Sequence, residues 1–131
     1  MSFVKLLYEE DSYQIRGACF SVYNSLGGGI KENIIQKALI IELQDRGIKT
    51  DCQKHINILY NGEKIGTYIP DITVNDKILI ELKSKPIITT EDKKQFWGYL
   101  KNSNFPLGFL INFSPEKLVI NRYIHTNKQS V

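Results

Sequence analysis

The sequence predicts an α/β fold, a mixed central β-sheet flanked by helices, with elements in the order α-α-β-β-β-α-β-β. Three observations carry this. Up to Arg46 apolar side chains recur at helical spacing, interrupted by Gly27-Gly28-Gly29. After Gly47 the pattern changes to period two. Two runs, Ile78-Leu79-Ile80 and Leu107–Phe113, are apolar on both faces, as central strands covered on both sides are. The helical segment between those runs serves as a crossover, which makes the two strands parallel neighbours.

Each element has its own justification. Residues 9–26 form the first helix, with Ile15, Ala18, Cys19, Val22 and Leu26 on one face and Asp11 or Ser12 as a cap. Residues 30–46 form the second, with Ile34, Ala38 and Ile41 inward, Leu39 as a further candidate, and Gly47 as its stop. Ile56, Ile58 and Tyr60 alternate with Asn57 and Leu59, and Asn61-Gly62 is a hairpin turn. A second strand spans 64–74, Asn75-Asp76 turn the chain, and a third strand spans 77–83 before Pro86. Thr89-Thr90-Glu91-Asp92 opens a helix with a threonine cap and an acidic first turn; Phe96 and Leu100, with Trp97 as a candidate, form its apolar face. The alternation over 117–124 suits a strand nearer the sheet edge, a place for a second copy of the chain.

The 131 residues are one domain's length, with the core expected over 9–125 and a fraying tail over 126–131. With 42% hydrophobic and 24% charged residues, wholesale disorder is excluded. Cys19 and Cys52 are too few for a disulfide framework or a four-cysteine zinc site, which fits a reducing compartment. No run reaches the roughly 18 apolar residues of a membrane span, and no signal segment opens the chain; a cytoplasmic protein without membrane partners is expected. The net charge of +3 permits nucleic-acid binding without arguing for it, and the excess lies in residues 67–131.

The chemistry gathers on the third strand. Glu81 and Lys83 are two apart, so both side chains leave one face of a buried strand. Alone, they make an ordinary ion pair at the wet rim of the sheet. Asp71 follows Pro70 on the preceding strand, and the register decides whether it joins them. A two-residue turn pairs Asp71 with Ile80 and turns Glu81 to the other face. A three-residue turn, Asn75-Asp76-Lys77, pairs Asp71 with Glu81, and a bulge near Pro70 has the same effect. One of these odd-count arrangements is expected. Two converging carboxylates repel unless a cation joins them, and oxygen ligands suit Mg²⁺ or Mn²⁺. A nearby lysine can then act on a water or on a phosphate, the parts needed for phosphodiester hydrolysis.

Pro70-Asp71 followed by Glu81-Leu82-Lys83 resembles the signature of the PD-(D/E)XK nuclease superfamily, with its restriction-endonuclease-like core. The surroundings resemble its GxxExxY subfamily: Gly29-Ile30-Lys31-Glu32 with Ala38-Leu39, then Gln95 with Tyr99-Leu100-Lys101, Leu110-Ile111-Asn112-Phe113, and Arg122. The similarity spans roughly residues 12–125. Two positions depart from it: Ile35 stands where the motif has tyrosine, which suits a core-facing position, and Pro70 stands where an apolar residue is usual.

The resemblance implies a Mg²⁺- or Mn²⁺-dependent nuclease, with DNA favoured over RNA. Asp71, Glu81 and the Leu82 carbonyl would hold the metal. Lys83 would act on water or the scissile phosphate. Glu32 would reach in from the second helix, and Gln95 would position water or phosphate. Lys85, Lys93 and Lys94, near the site in sequence, would line a phosphate track if they share its face. The rival readings are a non-catalytic nucleic-acid-binding module and a protein-interaction module on the same fold. The modest charge implies weak intrinsic specificity or help from a protein partner, and a homodimer would suit double-strand cleavage.

Other features carry less. Gly27-Gly28-Gly29 lacks the surroundings of a nucleotide loop and reads as a flexible break between helices. His55 and His125 stand alone, the two cysteines lack nucleophile partners, and Trp97 and Tyr99 suit a packed helix better than base stacking.

Overall fold

The three glycines do more than interrupt a helical pattern. In the computed structural model, which describes residues 8–125, they separate α1 (Glu9–Leu26) from α2 (Glu32–Asp45), and Gly28 and Gly29 pack on the end of a strand. The Gly29 amide donates to the Phe113 carbonyl at 2.8 Å, and a Cβ on Gly28 would lie 1.9 Å from the Ser114 oxygen. The expected flexible break is thus a tight contact, and glycine is needed there for space.

α1 starts before its expected caps. Asp11 and Ser12 lie inside the first turn, and the Ser12 hydroxyl donates back to the Tyr8 carbonyl at 2.8 Å. Ile15, Ala18, Cys19 and Val22 are buried as expected, while Leu26 is exposed at the last residue of the helix. α2 buries Ile35, Leu39 and Leu43, and leaves Ile34 and Ile41 exposed. The helix carries two apolar stripes about 100° apart. The stripe of three large aliphatic residues faces the sheet, in place of the one that includes Ala38.

The main sheet has five strands in the order β1-β4-β5-β6-β7: β1 (Thr50–Asp51), β4 (Ile72–Val74), β5 (Ile78–Lys83), β6 (Leu107–Phe113) and β7 (Leu118–Ile124). β5 and β6 are parallel, joined through α3 (Thr90–Lys101) as expected, and the other pairings are antiparallel. α1 and α2 pack on one face over Ile78, Ile80, Leu82, Phe109 and Ile111. On the other face Phe96 and Leu100 of α3 meet Leu79 and Leu110. Gly108 permits this approach, since a Cβ there would lie 2.8 Å from the Phe96 ring. β7 is an edge strand, half-buried along most of its length, because Leu118 and Ile120 pack against one core and Tyr123 against the other.

The strand expected over 64–74 is divided. Pro70 has no N–H for a ladder, and the chain bends at Asp71. β3 (Glu63–Tyr68) therefore pairs only with β2 (Ile56–Tyr60), forming a separate two-stranded hairpin outside the main sheet. Its turn residues Asn61 and Gly62 have φ of 51° and 81°, the mirror-image turn that hairpins favour. The hairpin docks through Ile56 and Tyr68, which join the α3 core. β1, two residues long, has no sequence periodicity and was not expected.

The β4–β5 register pairs Ile72 with Ile80 and Val74 with Ile78. That leaves the three-residue turn 75–77, with Asn75 and Asp76 both at φ 53°, and carried back one step it sets Asp71 opposite Glu81. No described helix is long and apolar enough to cross a membrane. The tail 126–131, expected to fray, lies outside the described residues.

Candidate active site

β5 has a buried apolar body and a charged end. Glu81 and Lys83 continue the face of Leu79, toward α3, and both are half-buried. β4 begins only at Ile72, so the β5 edge beyond Ile80 lacks a strand partner on that side. Asp71 fills the gap: its Oδ2 accepts the Leu82 N–H at 2.7 Å.

α2 is fastened to the same bend. The Gln36 amide donates to the Asp71 carbonyl at 2.7 Å. Glu32 lies four residues earlier on α2, hence one turn toward its N-terminus on the same side. Its side chain is exposed, yet its charge raises the proton affinity of both Asp71 and Glu81. Glu81 is held from a third direction. Buried Tyr68, at the end of the hairpin, donates its hydroxyl to Glu81 Oε1 at 2.8 Å. The Tyr68 ring stacks on Tyr99 of α3, with centroids 4.0 Å apart and planes 6° from parallel.

Glu81, Lys83, Gln95 and Tyr99 line one narrow cleft. Its volume of about 10 Å³ is close to what one water needs, so it suits a water or an ion, and a polymer would have to lie across the surface. Asp71 is outside that lining and approaches Glu81 from the β4 side.

Electrostatics express the crowding. Burial first, then the Asp71 charge, push the Glu81 carboxyl up to about 7. Burial likewise raises Asp71, opposed by the Leu82 N–H. Lys83 lowers both, without removing either rise. Burial and the Glu81 charge raise the Tyr68 hydroxyl, which stays a proton donor. A cation between the carboxylates would relieve this strain.

The donors, paired carboxylates and main-chain oxygen, are those a hard divalent ion takes. Among the described residues no three His, Cys, Asp or Glu side chains converge closely enough to hold a metal unaided. Main-chain oxygen and water would complete the shell, as Mg²⁺ commonly permits.

The lysines divide. Lys85 is paired with Asp92 at 2.7 Å. Its main chain is clamped by buried Asn112, which accepts the Lys85 N–H at 3.1 Å and donates to the Lys85 carbonyl at 2.8 Å. Lys93 and Lys94 are exposed in the first half of α3. Sequence reasoning missed Tyr68 and Gln36. The signals were faint: a tyrosine three residues before Asp71, and a polar residue one helical turn after Glu32. His55 Nδ1 lies 2.8 Å from the Gln53 carbonyl, and the His125 ring meets the Trp97 ring edge-on. Cys19 is buried, its thiol pushed up to about 12 by burial, and is not poised as a nucleophile.

A converging aspartate and Glu-x-Lys at the end of a strand, on a mixed sheet with a helical crossover, define a restriction-endonuclease-like protein. The sequence pattern of the PD-(D/E)XK nuclease superfamily matches residues 9–123, and the chain belongs to that superfamily. Its members are generally hydrolytic nucleases and typically use divalent metals such as Mg²⁺. The fold is similar to that of the crystal structure of SSO0001, with a TM-score of 0.52 and 17% sequence identity over 96% of this chain. The match covers 64% of that chain, and the likeness is one of fold. No curated protein matches the sequence.

Proposed function

We propose that this protein is a metal-dependent nuclease of the GxxExxY kind, hydrolysing phosphodiester bonds in nucleic acid, DNA in preference to RNA. The observation that carries the reading is the three-residue turn that sets Asp71 opposite Glu81, with Lys83 on the same strand face.

Asp71 and Glu81 would hold Mg²⁺ or Mn²⁺. The Leu82 carbonyl is a further donor, because a strand residue's N–H and C=O leave the same edge and the Leu82 N–H points to Asp71. When bound, the metal would supply an acidified water and neutralise phosphate charge. Lys83 adds a positive charge beside the carboxylates, able to orient that water or to stabilise charge on the phosphate. Gln95, across the cleft, can hydrogen-bond the water or a phosphate oxygen. Glu32, at the start of α2, contributes an outer carboxylate. Exposed Lys93 and Lys94 are free to meet the backbone, whereas Lys85 does so only by leaving Asp92. The proposal includes a cytoplasmic location, one nuclease-like domain over residues 1–131, a protein partner that supplies specificity, and a homodimer suited to double-strand cleavage.

The test is incubation with duplex DNA, single-stranded DNA and RNA in Mg²⁺ or Mn²⁺, for wild type, Asp71→Asn and Lys83→Ala. The expected result is cleavage that needs metal, is lost in Asp71→Asn and falls about 10²-fold or more in Lys83→Ala. Nucleic acid bound by the wild type but left intact would assign the non-catalytic binding module instead.

A further inference from the structure

We infer that Tyr68 is a positioning residue for the metal site and that the β2–β3 hairpin is part of the active-site architecture through it. The inference rests on the metal-binding reading of Asp71 and Glu81. Glu81 lies on β5 of the main sheet, whereas Tyr68 ends β3 of a separate sheet. The 2.8 Å hydrogen bond between them joins two sheets that share no ladder.

The geometry around Tyr68 is fixed on every side. The residue is 6% exposed, its ring lies flat against Tyr99, and with Ile56 it seats the hairpin in the core beneath α3. The hydroxyl therefore arrives at Glu81 with little rotational freedom. It occupies one lone pair of Oε1 and leaves the second lone pair and the whole of Oε2 available to a cation. Removing this donor would free the Glu81 carboxylate to turn about its terminal torsion. Donors to metal-ligating carboxylates usually influence affinity in this way, and their loss costs roughly 10- to 100-fold. Tyr99 follows Gln95 by one helical turn on α3, so the stack ties the same helix that supplies Gln95 to the hairpin.

The experiment is a calorimetric Mn²⁺ titration of the full chain, wild type against Tyr68→Phe, with thermal unfolding of both in the absence of metal. Phenylalanine keeps the ring, the stack and the hairpin's seat, and removes only the donor. The expected result is a roughly 10- to 100-fold weaker Mn²⁺ affinity in Tyr68→Phe, with both proteins folded. A role confined to packing would leave the affinity unchanged, and equal affinities overturn the inference while leaving the metal site standing. A wild type that takes up no Mn²⁺ overturns the metal reading itself, and the inference with it.

Discussion

Glu81 is where burial and charge conflict most sharply. Its carboxyl is raised from 4.5 to about 7, first by burial and then by Asp71. A folded-state value above the unfolded one means that the group's contribution to stability is complete below about pH 4.5 and is lost as pH rises through about 7. Without metal, Glu81→Gln therefore stabilises the protein at pH 8, by on the order of 1–3 kcal/mol, and changes little at pH 4. Urea unfolding at the two pH values reads this, and an equal effect at both would show that the carboxylate is not penalised by burial. Glu81 and Lys83 were legible in the sequence because period two decides which residues share a face. Asp71 was legible once the odd register was adopted. Tyr68 and Gln36 were not, because their partners lie beyond the bend at Pro70-Asp71 and on another layer, where no local spacing reports them.

At the scale of elements, α3 shows how a cap also holds a loop. Thr89 accepts the Asp92 N–H and Asp92 accepts the Thr89 N–H, a reciprocal cap. Asp92 also takes the Lys85 ammonium, which, with the Thr89 N–H, holds its carboxyl down to about 2. This contribution is present above the carboxyl's ordinary 3.8 and is lost as pH falls through about 2. Thr89→Ala should cost about 1 kcal/mol in denaturant unfolding, within the roughly 0.5–2 kcal/mol range for lost caps. No measurable loss would mean that the helix start is held by other contacts. This cap was readable from Thr89-Thr90-Glu91-Asp92 alone. The facing of α2 was not, because neighbouring apolar stripes compete and only the sheet decides between them. The break at Pro70 was also missed, although proline's absent N–H was its cause.

Across the whole molecule, the helical layer and the sheet meet at one point of extreme closeness. A Cβ on Gly28 would lie 1.9 Å from the Ser114 oxygen and 2.8 Å from that of Phe113, both main-chain atoms that cannot swing aside. Gly28→Ala should destabilise by roughly 1–3 kcal/mol through displaced backbone, read as a lower unfolding midpoint. An unchanged midpoint would show that the junction has slack. The parallel β5–β6 pair and the edge position of β7 were legible because long apolar runs and a helical crossover have few alternatives. The hairpin's separation from the sheet was not, since its alternation suits either placement. The central proposal is that Asp71 and Glu81 together bind a divalent cation. The most direct measurement is a Mn²⁺ titration by calorimetry on wild type and Asp71→Asn. The account predicts saturable binding in the wild type and its loss in the variant, and a wild type without binding, or a variant that binds equally well, would contradict it.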